Sequence, residues 1–431
     1  MKKILLSLFL LLICVYAGFV GYNYISKKKL EISEQKELIK QYNKIIAGIS
    51  IPSLELEVKK NLDDLKTIKK KIKLDDGLLL TKHEFVNGFY SGIHETYPGS
   101  GYLDFHNNNL FVISARGILA HTDLSGDKSN FKQIKNNIGD FINLKQFDKM
   151  KWFSIKDLKI HDNKIFVSFT EEIEEDCWNT SIIYSEIDYR EIKFQKLFSP
   201  SECVHSKENE DKEFNAHQSG GRIDFYNNDE IFFTIGDYRS RGLAQDKKSL
   251  NGKIIKFNIK SRSYKIISMG HRNPQGLFYD NDNNFILESE HGPQGGDEIN
   301  LIHLNKNEIP NFGWAIASYG EHYGGKKESN KLKYQKYPLL KSHENNNFIE
   351  PIKYFVPSIG TSEIVGLTNK SYVLSSTKDK AIYFFNLNSS NELENLSRIK
   401  VTERVRDMIY KDNKLFLFLE NTASVGIIEL N

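Results

Sequence analysis

The sequence predicts an all-β protein, a six-bladed β-propeller preceded by an N-terminal hydrophobic anchor and a short helical stalk. A turn rich in Asn and Asp, followed by a β-type run, occurs six times, and a further β run follows several of the copies. The chain also begins with an apolar stretch between lysines. We place the signal or anchor segment at residues 1–29, the stalk at 30–75 and the propeller at 76–431.

The first segment has the pattern of an export signal. Lys2 and Lys3 precede an uncharged stretch, residues 4–26, and three lysines follow it. Val15-Tyr16-Ala17 offers a cleavage site, whereas the whole stretch is long enough to span a bilayer core of about 30 Å. We favour an uncleaved anchor, which would place the remaining chain in the periplasm, attached to the inner membrane.

The second segment, residues 30–75, is charged and punctuated by Leu and Ile. Leu38, Tyr42 and Ile45 lie at the spacing of one helical face. Because the heptad is broken and Pro52 interrupts it, we interpret the segment as a helical spacer instead of a coiled coil that binds a partner.

Composition narrows the classes of function. The net charge is +3, and Lys and Arg are spread along the chain without the basic stripe that nucleic-acid binding requires. We therefore exclude nucleic acid as a partner. Cys177 and Cys203 are the two cysteines beyond the anchor. In an oxidising compartment they form either a disulfide or two separate buried thiols, and both alternatives stay open.

The repeat is the main argument for the propeller. Asn and Asp tolerate the backbone conformation of tight turns, so each copy predicts a hairpin. The six copies begin at His106, His161, Tyr226, Asp280, Thr368 and Lys411. The further β runs begin at Lys253, Glu298, Ala381 and Val425. Six similar hairpins fit radial repetition better than the alternative, a pair of β-sandwiches.

In a propeller the loops at one end of the central channel converge, so polar residues far apart in sequence meet there. Guanidinium and ammonium groups around one channel, together with a histidine, predict an anion site with a candidate base, suited to a planar polycarboxylate. Alternation along a strand places Arg404 and Arg406 on one face. The converging residues are Arg116, Asp237–Arg239, Glu290–Pro293, Lys378, His217, Arg272, Asn273, Arg404 and Arg406.

Five clusters of Gly, Pro, His and charged residues follow one another in the propeller segment. They are His217-Gln-Ser-Gly-Gly-Arg, Gly270-His-Arg-Asn-Pro-Gln-Gly, Glu290-His-Gly-Pro with Asp297-Glu-Ile-Asn, Asn311-Phe-Gly-Trp, and Arg404-Val-Arg-Asp. Together and in this order they resemble the soluble glucose and aldose sugar dehydrogenases that use pyrroloquinoline quinone (PQQ). The resemblance extends over residues 80–431 and is closer to the aldose dehydrogenase branch, because of the sequence Arg241-Gly-Leu-Ala-Gln-Asp.

The resemblance implies a role for each matching residue. His217 matches the base that takes a proton from the anomeric hydroxyl of the sugar, and a neutral imidazole suits that task. Arg272 and Asn273 match residues beside the quinone carbonyls, where a cation stabilises developing negative charge. Lys378, Arg404 and Arg406 match residues that bind the carboxylates and carbonyls of the cofactor. His271 and His291 are expected to orient loops.

The resemblance also implies calcium. Gly292 and Pro293 match positions whose backbone carbonyls hold a calcium ion that touches PQQ, and Ala317, Tyr319 and Glu321 match a second, structural calcium site. The implied reaction is oxidation of the C1 hydroxyl of aldose sugars to lactones. No Cys-x-x-Cys-His haem-attachment sequence is present, so the expected electron acceptor is a separate quinone or cytochrome.

Departures from the family pattern keep two alternatives open. Ala216 and Tyr238 replace an acid and a Gln of the glucose dehydrogenase branch, and residues 356–363 lack an aromatic platform for the sugar. A non-catalytic propeller that binds a sugar or a protein is one alternative. The other, a calcium-dependent lactonase, would need carboxylates in the channel, which we expect to be cationic. Adjacent Asp297 and Glu298 would point to opposite faces of a strand, which argues against a two-carboxylate hydrolase.

Overall fold

The six Asn/Asp turns each join the first two strands of a separate antiparallel sheet in a computed structural model of the protein. The structure describes residue 28 and residues 62–75, 77–86, 100–124, 130–142, 155–304 and 308–430. Several turn residues, including Asn107, Asp162, Asn284 and Asp412, have positive φ, the conformation that Asn and Asp tolerate. The predicted all-β, six-bladed propeller is therefore confirmed.

Three blades come from the first half of the propeller. The first contains β3 (Gly101–His106), β4 (Asn109–Ser114), β5 (Leu119–Thr122), β6 (Lys132–Asn136) and the parallel β10 (Glu191–Ile192). The second contains β7 (Ile155–His161), β8 (Lys164–Glu174), β9 (Cys177–Glu186), β11 (Gln195–Phe198) and β12 (Val204–His205). The third contains β13 (Gly220–Asn227), β14 (Glu230–Ile235), β15 (Lys253–Asn258) and β16 (Tyr264–Met269).

The other three blades follow in order, and the last is closed by both ends of the described chain. The fourth contains β17 (Pro274–Asp280), β18 (Phe285–Glu290), β19 (Asp297–His303) and β20 (Lys353–Phe355). The fifth contains β21 (Thr361–Gly366), β22 (Ser371–Ser376), β23 (Ala381–Leu387) and β24 (Leu393–Lys400). The sixth contains β25 (Val405–Lys411), β26 (Lys414–Leu419), β27 (Ser424–Glu429), β2 (Leu79–Phe85) and β1 (Thr67–Lys73).

Strand β1 corrects one part of the sequence prediction. Residues 67–73 were expected to belong to the helical stalk, but they pair with β2 in an antiparallel ladder. The ladder pairs the backbone groups that face β2. The four lysines of Thr-Ile-Lys-Lys-Lys-Ile-Lys lie on the exposed edge of the sheet, where lysines discourage pairing with another chain. The rest of the predicted stalk within the described residues, 62–66 and 74–75, carries no helix.

The first strand of each blade lines the central channel, and buried carboxylates connect neighbouring first strands. Oxygens of Asp104, Asp157, Asp224 and Asp407 accept backbone N–H groups of the next blade at 2.6–2.7 Å. Apolar clusters fill the space between the sheets further out. Since a buried carboxylate is costly unless it is hydrogen-bonded, these contacts fix how the blades sit around the channel.

Long connections on the fourth blade cover one end of the channel. The segment between β19 and β20 carries the helix α1 (Lys331–Lys336), and short 3-10 helices lie at Ile138–Asp140, Arg241–Ala244, Glu328–Asn330 and Glu344–Asn346. No helix in the described ranges is both long and apolar enough to cross a membrane. Apart from Lys28, the predicted anchor at residues 1–29 lies outside those ranges.

Candidate functional site

A cavity of about 130 Å³ lies where loops of the third and fourth blades meet, and we call it the cationic cavity. Its lining combines four cationic side chains with aromatic rings and a single carboxylate. The lining residues are Glu213, Arg239, Arg241, Arg272, Pro293, Trp314, His322, Tyr323 and Lys333. Three of the residues that the sequence predicted to converge, Arg239, Arg272 and Pro293, therefore line this cavity.

The loop after β14 places Arg239 through a turn held by Asp237. Tyr238 and Arg239 have φ values of 51° and 69°, and Asp237 Oδ1 accepts the Arg239 N–H at 2.9 Å. The other carboxylate oxygen of Asp237, Oδ2, accepts a hydrogen bond from Trp314 Nε1–H at 2.7 Å. Burial raises the pKa of Asp237, although the nearby Arg272 guanidinium opposes the shift. Asp237 thus connects the third blade to the fourth-blade insertion.

Arg272 lies at the centre of the cationic cavity. Its guanidinium donates to the His291 carbonyl at 2.7 Å and lies over the Trp314 ring at 5.4 Å. The Gln218 amide oxygen, turned towards the guanidinium groups, accepts from Arg272 at 2.8 Å and from Arg239 at 3.1 Å. Two guanidinium groups therefore share one neutral acceptor.

The charges of the cavity are only partly balanced. Glu213 forms ion pairs with Arg241 at 2.6 Å and with Lys333. Burial opposes its ionisation, but these two cations outweigh burial and lower its pKa to about 2. In contrast, no carboxylate of the described chain forms an ion pair with Arg239 or Arg272. Burial and the nearby Arg272 lower the pKa of Arg239, so the cavity carries unbalanced positive charge.

A chain of buried polar contacts leads from Asn273 to the predicted clamps. Gln275 donates to Asn273 Oδ1 at 3.1 Å and accepts from Arg406 at 3.3 Å. Glu420 then accepts from Arg406 at 2.6 Å and Arg404 at 2.8 Å, so the two arginines do face the same side. These residues lie in or beside the channel and do not line the cationic cavity.

Two other predicted residues lie apart from the cavity lining. Lys378 is exposed on the loop after β22, beside Gly360. His217 is half-buried, and its backbone N–H donates to Asn215 Oδ1 at 2.8 Å. His217 directly precedes Gln218, so it belongs to the same loop that contacts Arg239 and Arg272.

The structure gives a physical reason for the two departures from the family pattern. Ala216 and Tyr238 are both fully buried and belong to one apolar cluster with Trp178 and Val204. The Tyr238 hydroxyl pairs with Thr180 Oγ1 at 2.7 Å. Both residues therefore pack in the blade interior and do not line the cavity.

Cys177 and Cys203 form a disulfide in the second blade. The disulfide, and not a pair of separate buried thiols, is therefore the correct alternative of the two that the sequence left open.

The first predicted calcium position is compatible with a cation. Gly292 is buried, Pro293 lines the cavity, and within the described residues neither carbonyl accepts a hydrogen bond. Asp297 holds this turn, because its two oxygens accept N–H groups of Gly292 at 3.1 Å and Gly360 at 2.6 Å. Backbone carbonyls are ligands that calcium prefers. Asp297 and the adjacent Glu298 are both buried.

The loop predicted to hold a second calcium contains an ammonium group instead. Lys341 Nζ contacts the carbonyls of Ser318 at 3.2 Å and Gly320 at 2.5 Å, and the Glu321 carboxylate at 2.9 Å. The hydroxyl of Tyr334 also donates to Glu321. Lys341 therefore supplies a cation at Glu321 and at the carbonyls that neighbour Ala317 and Tyr319, and it would compete with a calcium ion for this loop.

The remaining residues of that predicted site have other contacts. Ala317 is buried and forms an isolated bridge with Leu340. Tyr319 stacks on Tyr354 with ring centroids 3.7 Å apart, and its hydroxyl donates to Glu350 at 2.9 Å. These contacts hold the loop against the segment that leads to β20.

The channel is less cationic than the sequence indicated. The carboxylates of Asp157, Glu363 and Asp407 lie together in its interior. Arg222 lies among them, with ion-pair distances of 3.0, 2.7 and 2.7 Å. The expectation of a cationic channel was wrong because it counted loop residues and omitted inward-facing residues of the first strands. Arg222 takes the place that a metal ion would need among these three carboxylates.

Several site residues escaped sequence reasoning. Arg239 was recognised as a converging residue but was given no role. Tyr323 and Lys333 come from the fourth-blade insertion, where nothing in the local pattern distinguishes them. Lys156 is buried in the channel, where burial and then the Arg406 guanidinium lower its pKa to about 7. Its strand, β7, also carries Asp157, Lys159 and His161, so nothing in the local pattern distinguishes Lys156.

Comparison with known proteins finds similarity to sugar dehydrogenases. The family model described as Glucose / Sorbosone dehydrogenase matches residues 156–428. The aldose sugar dehydrogenase YliI of Escherichia coli is 28% identical over 211 residues, which are 44% of this chain and 53% of that protein. Quinoprotein glucose dehydrogenase B of Acinetobacter calcoaceticus is 32% identical over 139 residues, 25% of this chain and 28% of that protein.

The fold also resembles solved structures. The PQQ-bound aldose sugar dehydrogenase of Streptomyces coelicolor superposes with a TM-score of 0.56 at 18% identity, over 78% of this chain and 94% of that structure. At this identity the likeness shows the propeller fold. The aligned segments span about half the length of the Escherichia coli relative and 28% of the length of the Acinetobacter relative.

Proposed function

The chain belongs to the glucose and sorbosone dehydrogenase family, and from this premise we propose that it is a PQQ-dependent dehydrogenase that oxidises aldose sugars at C1 to lactones. The observation that carries the proposal is a pair of guanidinium groups, the buried Arg272 and the half-buried Arg239, which share Gln218 and form no ion pair with any carboxylate in the described part of the chain. An anionic cofactor would supply the missing negative charge.

Each residue of the proposed site has a separate task. Arg272 would bind the cofactor and stabilise negative charge that develops on it, because its guanidinium is fixed by the His291 carbonyl before the reaction begins. Asn273 would contribute its amide beside it. His217 would take the proton of the C1 hydroxyl. When bound, PQQ would supply the two-electron acceptor for the hydrogen on C1.

Three further groups would complete the site. We propose that Lys378, Arg404 and Arg406 bind carboxylates and carbonyls of the cofactor, and that the carbonyls of Gly292 and Pro293 hold calcium beside it. Tyr323, whose ring is 54% exposed, would provide the aromatic surface that residues 356–363 lack. Electrons would then pass to a separate quinone or cytochrome, in a periplasmic location consistent with the predicted N-terminal segment.

Equilibrium titration with PQQ tests this proposal. The purified full chain, with and without calcium, is titrated with PQQ and followed by absorbance. We expect saturable binding of one PQQ per chain that is tighter with calcium. Absence of binding at micromolar concentrations, with or without calcium, would contradict the proposal and favour a propeller that binds another ligand.

A further inference from the structure

Behind the cationic cavity lies a group of four buried polar residues, which we call the His/Glu cluster: His271, Glu288, Glu290 and Asn300. None is more than 3% exposed. Glu288 and Glu290 alternate on β18 and so point to the same face. Asn300 pairs directly with Glu288 across β18 and β19. The cluster is thus built by the sheet itself.

The hydrogen bonds of the cluster leave several buried atoms unsatisfied. His271 Nε2 pairs with Ser268 Oγ at 2.8 Å, but Nδ1 of the same ring has no hydrogen-bond partner. Glu288 Oε1 and Asn300 Oδ1 also have none. Burying a polar group without a partner costs about 1–3 kcal/mol, so three such atoms in one place indicate a missing ligand.

The spacing of the three ligand-type atoms suits a metal ion. His271 Nδ1 lies 3.5 Å from Glu290 Oε1 and 3.8 Å from Glu288 Oε2. Both distances exceed the usual N–H···O range of about 2.7–3.2 Å. They are close to the separation of about 3.3 Å between neighbouring ligands of a tetrahedral ion with bonds of about 2.0–2.1 Å. All three atoms lie within 4.8 Å of one another.

The negative charge of the two glutamates in the cluster also indicates a bound cation. Glu288 receives one side-chain hydrogen bond, from Asn300 at 3.0 Å, and no lysine or arginine of the described chain forms an ion pair with Glu288 or Glu290. Two carboxylates buried together without a cation are strongly unfavourable. A divalent ion would neutralise both.

We propose that the His/Glu cluster is a structural site for a divalent transition metal of the zinc class, bound by His271 Nδ1, Glu288 Oε2 and Glu290 Oε1. Imidazole with carboxylates favours zinc or cobalt over calcium, which prefers oxygen ligands. Rotation of the Asn300 amide would turn its unpartnered Oδ1 towards the ion as a fourth ligand. The ion is distinct from the calcium proposed at Gly292 and Pro293.

The surroundings of the cluster connect the ion to the candidate active site. Glu290 Oε2 accepts the backbone N–H groups of Arg272 at 2.5 Å and Asn273 at 3.3 Å. An ion on the other oxygen of Glu290 would hold this carboxylate in place. On the far side, the His271 ring stacks against Phe312 with centroids 5.0 Å apart. The metal would thus fix the loop that presents Arg272 to the cavity.

The test is metal analysis of the full chain, purified without chelators. We expect about one equivalent of zinc per chain that persists through dialysis and is not displaced by calcium. Protein refolded with Co²⁺ in place of zinc is expected to show the visible absorption bands of a four-coordinate cobalt centre with N and O ligands.

Two variants locate the ion. Glu288→Gln is isosteric and removes one ligand, so we expect its metal content to fall to a tenth of an equivalent or less. Glu403→Gln is the matched control, because Glu403 is a buried glutamate that accepts a hydrogen bond from Lys82 at 2.6 Å beside the sixth blade, outside the cluster; it should retain the metal.

The proposal fails if the wild-type chain contains no transition metal and takes up neither Zn²⁺ nor Co²⁺ during refolding. It also fails if Glu288→Gln retains a full equivalent. Should Glu288→Gln not fold, the metal content and cobalt spectrum of the wild-type chain still decide, because a cobalt spectrum without a nitrogen ligand would exclude His271. Each outcome is independent of PQQ binding.

Discussion

The backbone N–H of Arg272 donates to Glu290 Oε2 at 2.5 Å. This contact joins the end of β18 to the segment that precedes β17, and it places the Arg272 guanidinium in the cavity while a buried carboxylate supports its backbone. Since the side chain also donates to the His291 carbonyl, Arg272 is held at both ends. A guanidinium fixed in this way can bind an anion without reorganising first.

Replacing Arg272 should weaken cofactor binding. Arg272→Leu removes a charged hydrogen-bond donor, which contributes about 1.5–3 kcal/mol to such contacts, so PQQ should bind about 10–100-fold more weakly to the folded variant. Arg262→Leu, which removes an exposed arginine far from the cavity, is the control and should bind as the wild type does. Titration followed by absorbance measures both. Equal affinity in the two variants would remove Arg272 from the site.

Acid should destabilise the protein through Glu420. Burial opposes ionisation of this carboxyl, but Arg406 and Arg404 outweigh burial and lower its pKa from 4.5 to about 2. A group with a lowered folded pKa stabilises fully above its unfolded pKa and loses that effect as pH falls towards the folded value. About 3 kcal/mol should therefore disappear between pH 4.5 and 2.

The free energy of unfolding in urea, measured across that pH range, checks this prediction. Glu420→Gln should already be destabilised at pH 6 and should show a smaller loss on acidification, because it no longer titrates. The exposed Glu186→Gln is the control and should follow the wild type. If Glu420→Gln and the wild type lose stability in parallel, Glu420 is not the group responsible.

Calcium should not stabilise the loop that contains Lys341. Its ammonium already contacts the carbonyls of Ser318 and Gly320 and the Glu321 carboxylate. In the absence of PQQ, we expect Lys341→Met to be less stable by about 1–2 kcal/mol and to regain stability on addition of calcium. Lys331→Met, on an exposed part of α1, should do neither. A wild-type melting temperature that rises with calcium as much as that of Lys341→Met would contradict this account.

Removing the Cys177–Cys203 disulfide should lower stability. The bond closes a loop of 26 residues, and the loss of chain entropy that it imposes on the unfolded state corresponds to about 3 kcal/mol. The double variant Cys177→Ser/Cys203→Ser should unfold at correspondingly lower urea concentration. Reductant should destabilise the wild type and leave the double variant unchanged; sensitivity of the double variant to reductant would show that the effect has another origin.

The sequence predicted the repeat well because Asn and Asp in tight turns are a local signal. Each of the six turns could be recognised without knowing its neighbours, and the blade count followed. Closure of the last blade by β1 could not be recognised, since residues 67–73 carry mostly lysines and gain their strand conformation from pairing with β2. The position of such an edge strand is decided by tertiary contacts.

The residues of the candidate site also divide into those that have a local sequence signal and those that are brought together only by tertiary contacts. Arg272 and Pro293 were identified because they occur in distinctive clusters, and the structure places both in the cavity. Arg222 and Asp157 were missed as channel residues, because their interaction joins two blades and leaves no trace in local sequence. Lys341 was missed for a related reason: its three contacts lie about twenty residues away, and only the folded loop brings them together.

The measurement that tests the central proposal most directly is anaerobic reduction of bound PQQ by an aldose in a single turnover, with the full chain loaded with PQQ and calcium. We predict that a sugar such as glucose reduces the cofactor stoichiometrically in the wild type, and that His217→Ala binds PQQ normally but reduces it at least about 100-fold more slowly. His205→Ala, at an exposed histidine of β12, should react as the wild type does. Bound PQQ that no aldose reduces, or a His217→Ala variant with the wild-type rate, would contradict the proposal.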